Sequence, residues 1–324
     1  VIFYHSLLII SKLIKQNMAS TFKITQEGYN DPYTYRLCMV GDNTRLSIGV
    51  KSGGNKQFKF EDDNIWSSVI YDGNGKYVAC GRTPSGLGCT SYSTDKCETW
   101  SETRTFGISW HGITYGNGRY IVVGDEGYFA TSTNGDTWDI FQIDNNVNFC
   151  DVAYGNDVFI AIGNTISRPV TCTSYVLKNG SDTWNKLDLN PSNFTIESIT
   201  YSSSHNDFVA VGGSLSAVTS NGDYWSVNTL ASGADLYGVV YDNRGIAVGN
   251  HEEIYYTDGG AGWNLVPFDS PMSIILLSVA YIPAMKAHLA VGTDGYSVAY
   301  TDANNRTTRT RFGMKDLNCI INVI

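Results

Sequence analysis

Residues 115–138 read "YGNGRYIVVGDEGYFATSTNGDTW". Two short runs rich in Val, Ile, Tyr and Phe are separated by turn residues and closed by a tryptophan. Asn117-Gly118 and Asn134-Gly135 supply the residue types that accept positive φ in tight turns. The stretch therefore predicts strand, turn, strand, hairpin and strand, with no helical period.

The stretch has relatives along the chain. "WSSVIYDGNGKYVACG" from Trp66, "WHGITYGNGRYIVVG" from Trp110, "FCDVAYGNDVFIAIG" from Phe149, "IESITYSSSHNDFVAVG" from Ile196, "LYGVVYDNRGIAVG" from Leu236 and "LLSVAYIPAMKAHLAVG" from Leu276 share one plan: strand, turn, strand, glycine. The shared tyrosines, at 71, 115, 154, 201, 241 and 281, recur at steps of 39 to 47 residues. A period near 40 suits a four-stranded propeller blade. A second signature follows each unit: "TSYSTDKCETW" to Trp100, "TSTNGDTW" to Trp138, "LKNGSDTW" to Trp184, "TSNGDYW" to Trp225 and "YTDGGAGW" to Trp263. With Trp66 and Trp110, which open inner strands, these use all seven tryptophans. Packing between sheets explains that recurrence better than binding does.

The chain ends set the expected count. Residues 35–60, "YRLCMVGDNTRLSIGVKSGGNKQFKF", align with the interior of a repeat, Val40-Gly41-Asp42 falling on Val123-Gly124-Asp125, and lack a first strand. Residues 317–324, "LNCIINVI", read as a first strand with nothing after it. Together they predict one further blade shared between the N- and C-terminal segments. The expectation is an all-β, seven-bladed β-propeller of four-stranded antiparallel blades, occupying residues 35–324 as a single domain. Residues 1–34 fall outside it. Residues 1–17 carry an apolar run followed by Lys12 and Lys15, the wrong order for a secretory signal and too short to span a bilayer, and are expected to be upstream sequence before a natural start at Met18 or an appended segment.

The tryptophan-closed turns resemble a degenerate Asp box, the S-x-D-G-x-x-W element of sialidase-like, BNR-type β-propellers. Asn stands for Asp at 134 and 221, the box is one residue short, and the sixth repeat reads "YTDANNRTTR" without Trp. In that family the box lies at the blade periphery and is structural, so the resemblance implies architecture and not activity. The compact variety seen here is similar to repeats in bacteriophage tail and other virion proteins, in bacterial surface proteins and, more distantly, in photosystem assembly factors. The resemblance implies a non-catalytic interaction module within a larger assembly such as a virion tail or surface appendage, placed in a virion or outside the cell. A lectin-like glycan receptor is the alternative, and a sialidase-like glycoside hydrolase a distant third.

Charge and composition narrow the partners. Thirty-one acidic against 22 basic residues give a formal charge of −9, which repels a nucleic-acid backbone. The seven cysteines form no CxxC pair, the histidines (His5, His111, His205, His251, His288) do not fall at ligand spacing, and no phosphate loop, dinucleotide fingerprint or nucleophile elbow occurs, so neither metal nor cofactor is expected. Cys80 and Cys89 flank one hairpin and read as buried small residues. Sequons at Asn179, Asn193 and Asn305 matter only in a secretory pathway. The arginine triad and the early Arg-Ile-Pro-like motif of sialidases have no counterpart, Ser167-Arg168-Pro169 being the nearest string, and a carboxylate pair drawn from Glu126 and Glu252 is one of many possible pairs.

The turns after each first strand share one face with the box turns and are short and uniform. The hairpins between second and third strands vary and share the opposite face, where binding on a rigid scaffold usually sits. In order they present Asp42, Arg82, Asp125-Glu126, Arg168, Ser214, His251-Glu252-Glu253 and Asp294, an acidic rim with two arginines. The candidate binding face is therefore Asp42, Arg82, Asp125, Glu126, Arg168, His251, Glu252, Glu253 and Asp294. Those hairpins hold no tryptophan and few rings, which favours a protein partner over a sugar.

Overall fold

The computed structural model describes residues 35–51, 54–192, 194–230, 233–242, 244–259, 262–267, 272–301, 306–312 and 315–323. The expected leader up to Met18, the rest of residues 1–34, and the sequon residues Asn193 and Asn305 lie outside the described residues.

Second strands such as Arg119–Gly124 ("RYIVVG"), Asp207–Gly212 ("DFVAVG") and Ala287–Gly292 ("AHLAVG") are buried almost throughout. They read as continuous apolar runs because the sheets stack against one another and cover both faces of each strand. The outermost strand Asp139–Gln142 has no such cover and is exposed at every position. Each first strand pairs antiparallel with the second, the second with the third and the third with the fourth. Five such four-stranded sheets occupy 110–142, 147–192, 198–229, 236–265 and 276–311.

The expected count of seven separate blades is not met. The sheets number six, five of four strands and one of six. The terminal pieces do not stand apart as a blade of their own, because the strands Tyr35–Lys51 and Gly54–Tyr71 carry the ladder onward. The first pairs with Leu317–Val323 along Arg36–Gly41 and with Gly54–Tyr71 along Asp42–Lys51. The second then continues through Asp62-Asp63-Asn64 to pair with Tyr77–Arg82. With only that short passage in place of a connecting loop, hydrogen bonding never breaks between the terminal strands and the first repeat. The pairing of the C-terminal strand with the strand starting at Tyr35 closes the ring.

Four of the closing tryptophans, Trp138, Trp184, Trp225 and Trp263, lie between their own sheet and the preceding one, and Trp100 packs inside the six-stranded sheet beside Trp66 and Cys97. Trp225 packs with Phe208 of its own sheet and with Val158 and Ile160 of the previous one, and its Nε1 donates to Ser174 Oγ at 3.0 Å. Trp184 sits edge-on to Phe129, and Trp138 edge-on to Tyr120 beside Val78 and Cys80. Trp66, Trp110 and Trp225 are buried, whereas Trp100, Trp138, Trp184 and Trp263 are half-buried. The box turns bond themselves: Ser132 Oγ accepts from Gly135 N at 2.8 Å, and Asn134 Oδ1 from Asp136 N and Thr137 N at 2.9 and 3.0 Å. Asn134 thus does the work of an aspartate there, since an amide oxygen accepts as a carboxylate oxygen does. Three of the turns after first strands reach the next sheet's box turn, Lys76 Nζ donating to Asn134 O at 2.6 Å, Asn117 Nδ2 to Asn179 Oδ1 and Asn156 Nδ2 to Ser220 O at 3.1 Å.

All seven cysteines are free thiols; Cys80 pairs with Thr90 across the ladder and Cys89 with Gly81.

Two predictions follow from this packing. Removing residues 317–323 exposes the backbone edge of Arg36–Gly41 and should replace cooperative thermal unfolding by a broad transition or aggregation; a truncated chain that melts like the full one in calorimetry refutes the closure. Trp225→Ala should cost about 3–5 kcal/mol and half-buried Trp138→Ala less, about 1–3 kcal/mol, in urea unfolding; equal or reversed losses refute the packing order.

Candidate functional site

First strands from each sheet pack side by side around a central axis, the six-stranded sheet contributing two, Gly54–Tyr71 and Leu317–Val323. The ladder between first and second strands slips by one residue at a recurring place: between Trp66 and Ser68, Trp110 and Gly112, Phe149 and Asp151, Leu236 and Gly238, and Leu276 and Ser278. Opposite Val40 and Gly41 the skipped residue is Asn318. A bulge turns the skipped side chain out of the ladder and re-aims it. Here Ser67, His111, Tyr237, Leu277 and Asn318 are re-aimed into one cavity of ≈ 410 Å³, joined by Glu197 and by Asp42, Ile65, Arg82 and Asp316.

The glycine that ends each second strand places the hairpin beside this mouth. A Cβ on Gly124 would stand 1.9 Å from Ser109 O, and one on Gly41 2.0 Å from Asp316 O. That approach lets the next residue bond the same carbonyl, Asp125 N to Ser109 O at 3.2 Å and Asp42 N to Asp316 O at 3.0 Å. The hairpins then turn through left-handed residues, Asn43, Glu126, His251 and Asp294, with φ between 52° and 57°.

The mouth is held by hydrogen bonds behind its lining. His111 Nε2 donates to Asp125 Oδ1 at 2.8 Å, which holds the Asp125 carboxyl below the usual carboxylate range. Tyr237 donates to Asp235 Oδ2 at 2.9 Å, with Asn250 on the same oxygen at 2.8 Å; burial, then Asp235, pushes the Tyr237 phenol up to about 12. Asn318 Nδ2 bridges Asp42 Oδ1 and Trp66 O. Asp316 Oδ1 accepts from Asp294 N at 2.9 Å. Burial raises Glu197 above its ordinary value, with Asp235 adding to the rise and His111 opposing it. The opening therefore carries Asp42, Glu197 and Asp316 against Arg82 and His111, with Asp125 and Asp235 behind.

One step further along the axis the side chains are small: Ser68, Gly112, Asp151, Ser198, Gly238, Ser278 and Cys319. A Cβ on Gly112 would lie 2.7 Å from Asp151 Cα, so neighbouring strands converge and floor the mouth. Asp151 spans to the next sheet, accepting from Ser198 Oγ at 3.1 Å and Ile199 N at 3.0 Å. Burial outweighs these bonds and pushes its carboxyl up to about 6.

Of the residues expected on the binding face, Asp42 and Arg82 line the mouth and Asp125 supports it through His111. Glu126, His251 and Asp294 are exposed on hairpin tips, Glu253 is half-buried, and Arg168 is exposed beside Ser167; none of these five lines the mouth cavity. Glu252 is not a rim charge. It is fully buried, its carboxylate accepting from Arg309 Nε and Nη2 at 2.5 and 2.6 Å and from Met272 N at 2.6 Å. It therefore ties two sheets together and cannot partner Glu126 as a glycosidase carboxylate pair. Sequence reasoning overlooked His111, Glu197, Tyr237, Asp316 and Asn318 as a group. The signal was present in the repeat: in "WHG", "IES", "LYG" and "LNC" the middle position changes freely between a fixed apolar residue and a small one.

Among the described residues no group of three or more His, Cys, Asp or Glu side chains is placed to hold a metal ion, and no helix is long and apolar enough to cross a membrane.

The ring of sheets and its axial mouth define a β-propeller. No protein-family model matches the chain, and no curated protein matches it. Solved structures share the fold. The WD40 β-propeller domain of Doa1 superposes with a TM-score of 0.60 at 13% identity, covering 89% of this chain and 90% of that one. A structure of YCF48 bound to D1 peptide gives 0.61 at 14%, covering 85% and 91%. Apo AztD from Citrobacter koseri gives 0.57 at 10%, covering 89% and 98%.

Asp151 yields a pH prediction. Its folded carboxyl titrates near 6 against an ordinary 3.8, so the folded state holds this proton more tightly. That contribution is fully present below about pH 4 and is lost as pH rises through 6. Asp151→Asn should flatten urea-unfolding stability between pH 4 and 7 and gain on the order of 1–2 kcal/mol on wild type at pH 7, a figure discounted because the side chain opens onto the axis. Parallel profiles for the two proteins refute the assignment.

Proposed function

We propose that this protein is a non-catalytic binding module that engages a protein partner through the face around the axial mouth, and that the partner presents a basic segment there. The observation that carries the reading is the convergence on one opening of re-aimed first-strand residues and hairpin charges, acidic in balance and held by hydrogen bonds behind them. Preorganised polar groups around a recess lower the ordering cost of binding. A propeller of similar fold is seen with a peptide, YCF48 with D1 peptide, which supports a peptide-like occupant. The working face comprises Asp42, Arg82, His111, Glu197, Tyr237, Asp316 and Asn318, with Asp125, Glu126, His251, Glu253 and Asp294 as its outer rim.

Residues 35–324 form the propeller domain in this reading. Kinship with Asp-box propellers is supported by the self-bonded turn at Ser132, Asn134 and Thr137; a place in a virion tail or surface appendage rests on the resemblance of the repeats alone. Tyr237 is the sole Phe, Tyr or Trp ring lining the mouth among the described residues, which favours a peptide over the ring-stacked sugar of a lectin.

The test uses fluorescent twelve-residue peptides, lysine- and arginine-rich against glutamate-rich, with a glycan array in parallel. The basic set should bind, weakening with salt. Glu197→Gln combined with Asp316→Asn should weaken binding by about threefold to tenfold and flatten its salt dependence, while leaving the melting temperature close to wild type. Preference for acidic peptides, indifference to the double substitution, or glycan binding in place of peptide binding overturns the proposal.

A further inference from the structure

A second cavity, of ≈ 380 Å³, lies where the six-stranded sheet meets the preceding one, its Asn43, Lys315 and Leu317 adjoining the mouth residues Asp42 and Asp316 in the chain. Its apolar part is Leu46, Phe312 and Leu317, which belong to the core cluster between this sheet and the preceding one. Thr44 on its wall is only 6% exposed, and its Oγ1 has no hydrogen-bond partner among the described residues. A buried hydroxyl left unpaired is penalised, so a ligand that pairs it recovers free energy.

The charges at the entrance divide into committed and uncommitted. Lys59 and Glu61 are paired with each other. Asp62 is filled by Arg45 Nη2 at 3.0 Å, Trp66 Nε1 at 3.1 Å and Asn64 N at 2.9 Å. Asp63 and Lys315 remain, neither in an ion pair among the described residues, and both line the cavity. One carboxylate, one ammonium, an unpaired hydroxyl and an apolar floor in a space of this size match a small zwitterion carrying an apolar side chain.

We propose that this cavity binds a free apolar α-amino acid, its ammonium toward Asp63, its carboxylate toward Lys315 and its side chain on Leu46, Phe312 and Leu317. The site shares no lining residue with the axial mouth and does not depend on the function proposed for it.

The experiment is calorimetric titration of the full chain with L-leucine and L-phenylalanine, and with leucinamide and N-acetyl-leucine, which lack the carboxylate and ammonium charges respectively. Trp66 fluorescence provides a second signal through its bond to Asp62. Leucine or phenylalanine should bind saturably, and each blocked compound about tenfold or more weaker. Asp63→Asn should weaken leucine and abolish its advantage over N-acetyl-leucine; Lys315→Met should do the same against leucinamide. Glu197→Gln, at the axial mouth, should leave leucine binding unchanged. Absence of saturable binding, equal binding of the blocked compounds, or binding of leucine-led peptides without free leucine overturns the proposal.

Discussion

The architecture depends on a close approach of two backbones, repeated from sheet to sheet. A glycine ends the second strand, and its missing Cβ lets that strand's end lie against the carbonyl just before the neighbouring first strand, as at Gly81 on Ile65 O and Gly292 on Ile275 O. Any larger residue would place a carbon within about 2 Å of an oxygen, so the neighbour would have to move. The approach fixes the first strand's bulge, the bulge aims a side chain at the axis, and the hairpin that follows is bonded beside it. One small residue thereby sets the packing, the position of the variable loop and the lining of the mouth.

The two faces are built on different terms. On one, side-chain bonds run from the turn after a first strand to the box turn of the next sheet, through Lys76, Asn117 and Asn156. On the other, hairpins are bonded to their own sheet, as at Asp125 N on Ser109 O, and to the next, as at Glu126 N on Asn148 Oδ1 and Asp294 N on Asp316 Oδ1, while the side chains of Glu126, His251 and Asp294 at their tips are exposed. Sequence change at those tips touches little of the packing, so charge there is adjustable at small cost in stability.

Much of this was legible in the chain. The strand plan, the glycine, the box turn and the pairing of the two termini each leave a repeated local pattern, and repetition is visible without coordinates. The number of sheets was not legible, because whether Asp62-Asp63-Asn64 ends a ladder or passes it on depends on pairing with Asp42 and Arg82, which lie on different elements. The mouth was half legible. Asp42 and Arg82 sit on hairpins, where variability is expected; His111, Glu197, Tyr237 and Asn318 lie at the roots of strands that otherwise read as core. Glu252 misled for a physical reason. It stands in a left-handed hairpin position that Gly127 and Gly295 occupy elsewhere, and only the partner Arg309 on another sheet shows that its charge is turned inward.

That exception bears on how the ring assembles. Sheets built from near-copies of one sequence risk docking in the wrong order during folding, since each presents much the same apolar faces to any other. Among the described residues a fully buried carboxylate paired with an arginine of another sheet occurs at one junction, Glu252 with Arg309, and a buried carboxylate without its guanidinium is strongly penalised. The pair therefore acts as an address at that junction, favouring the neighbour that brings the arginine over look-alike copies that do not.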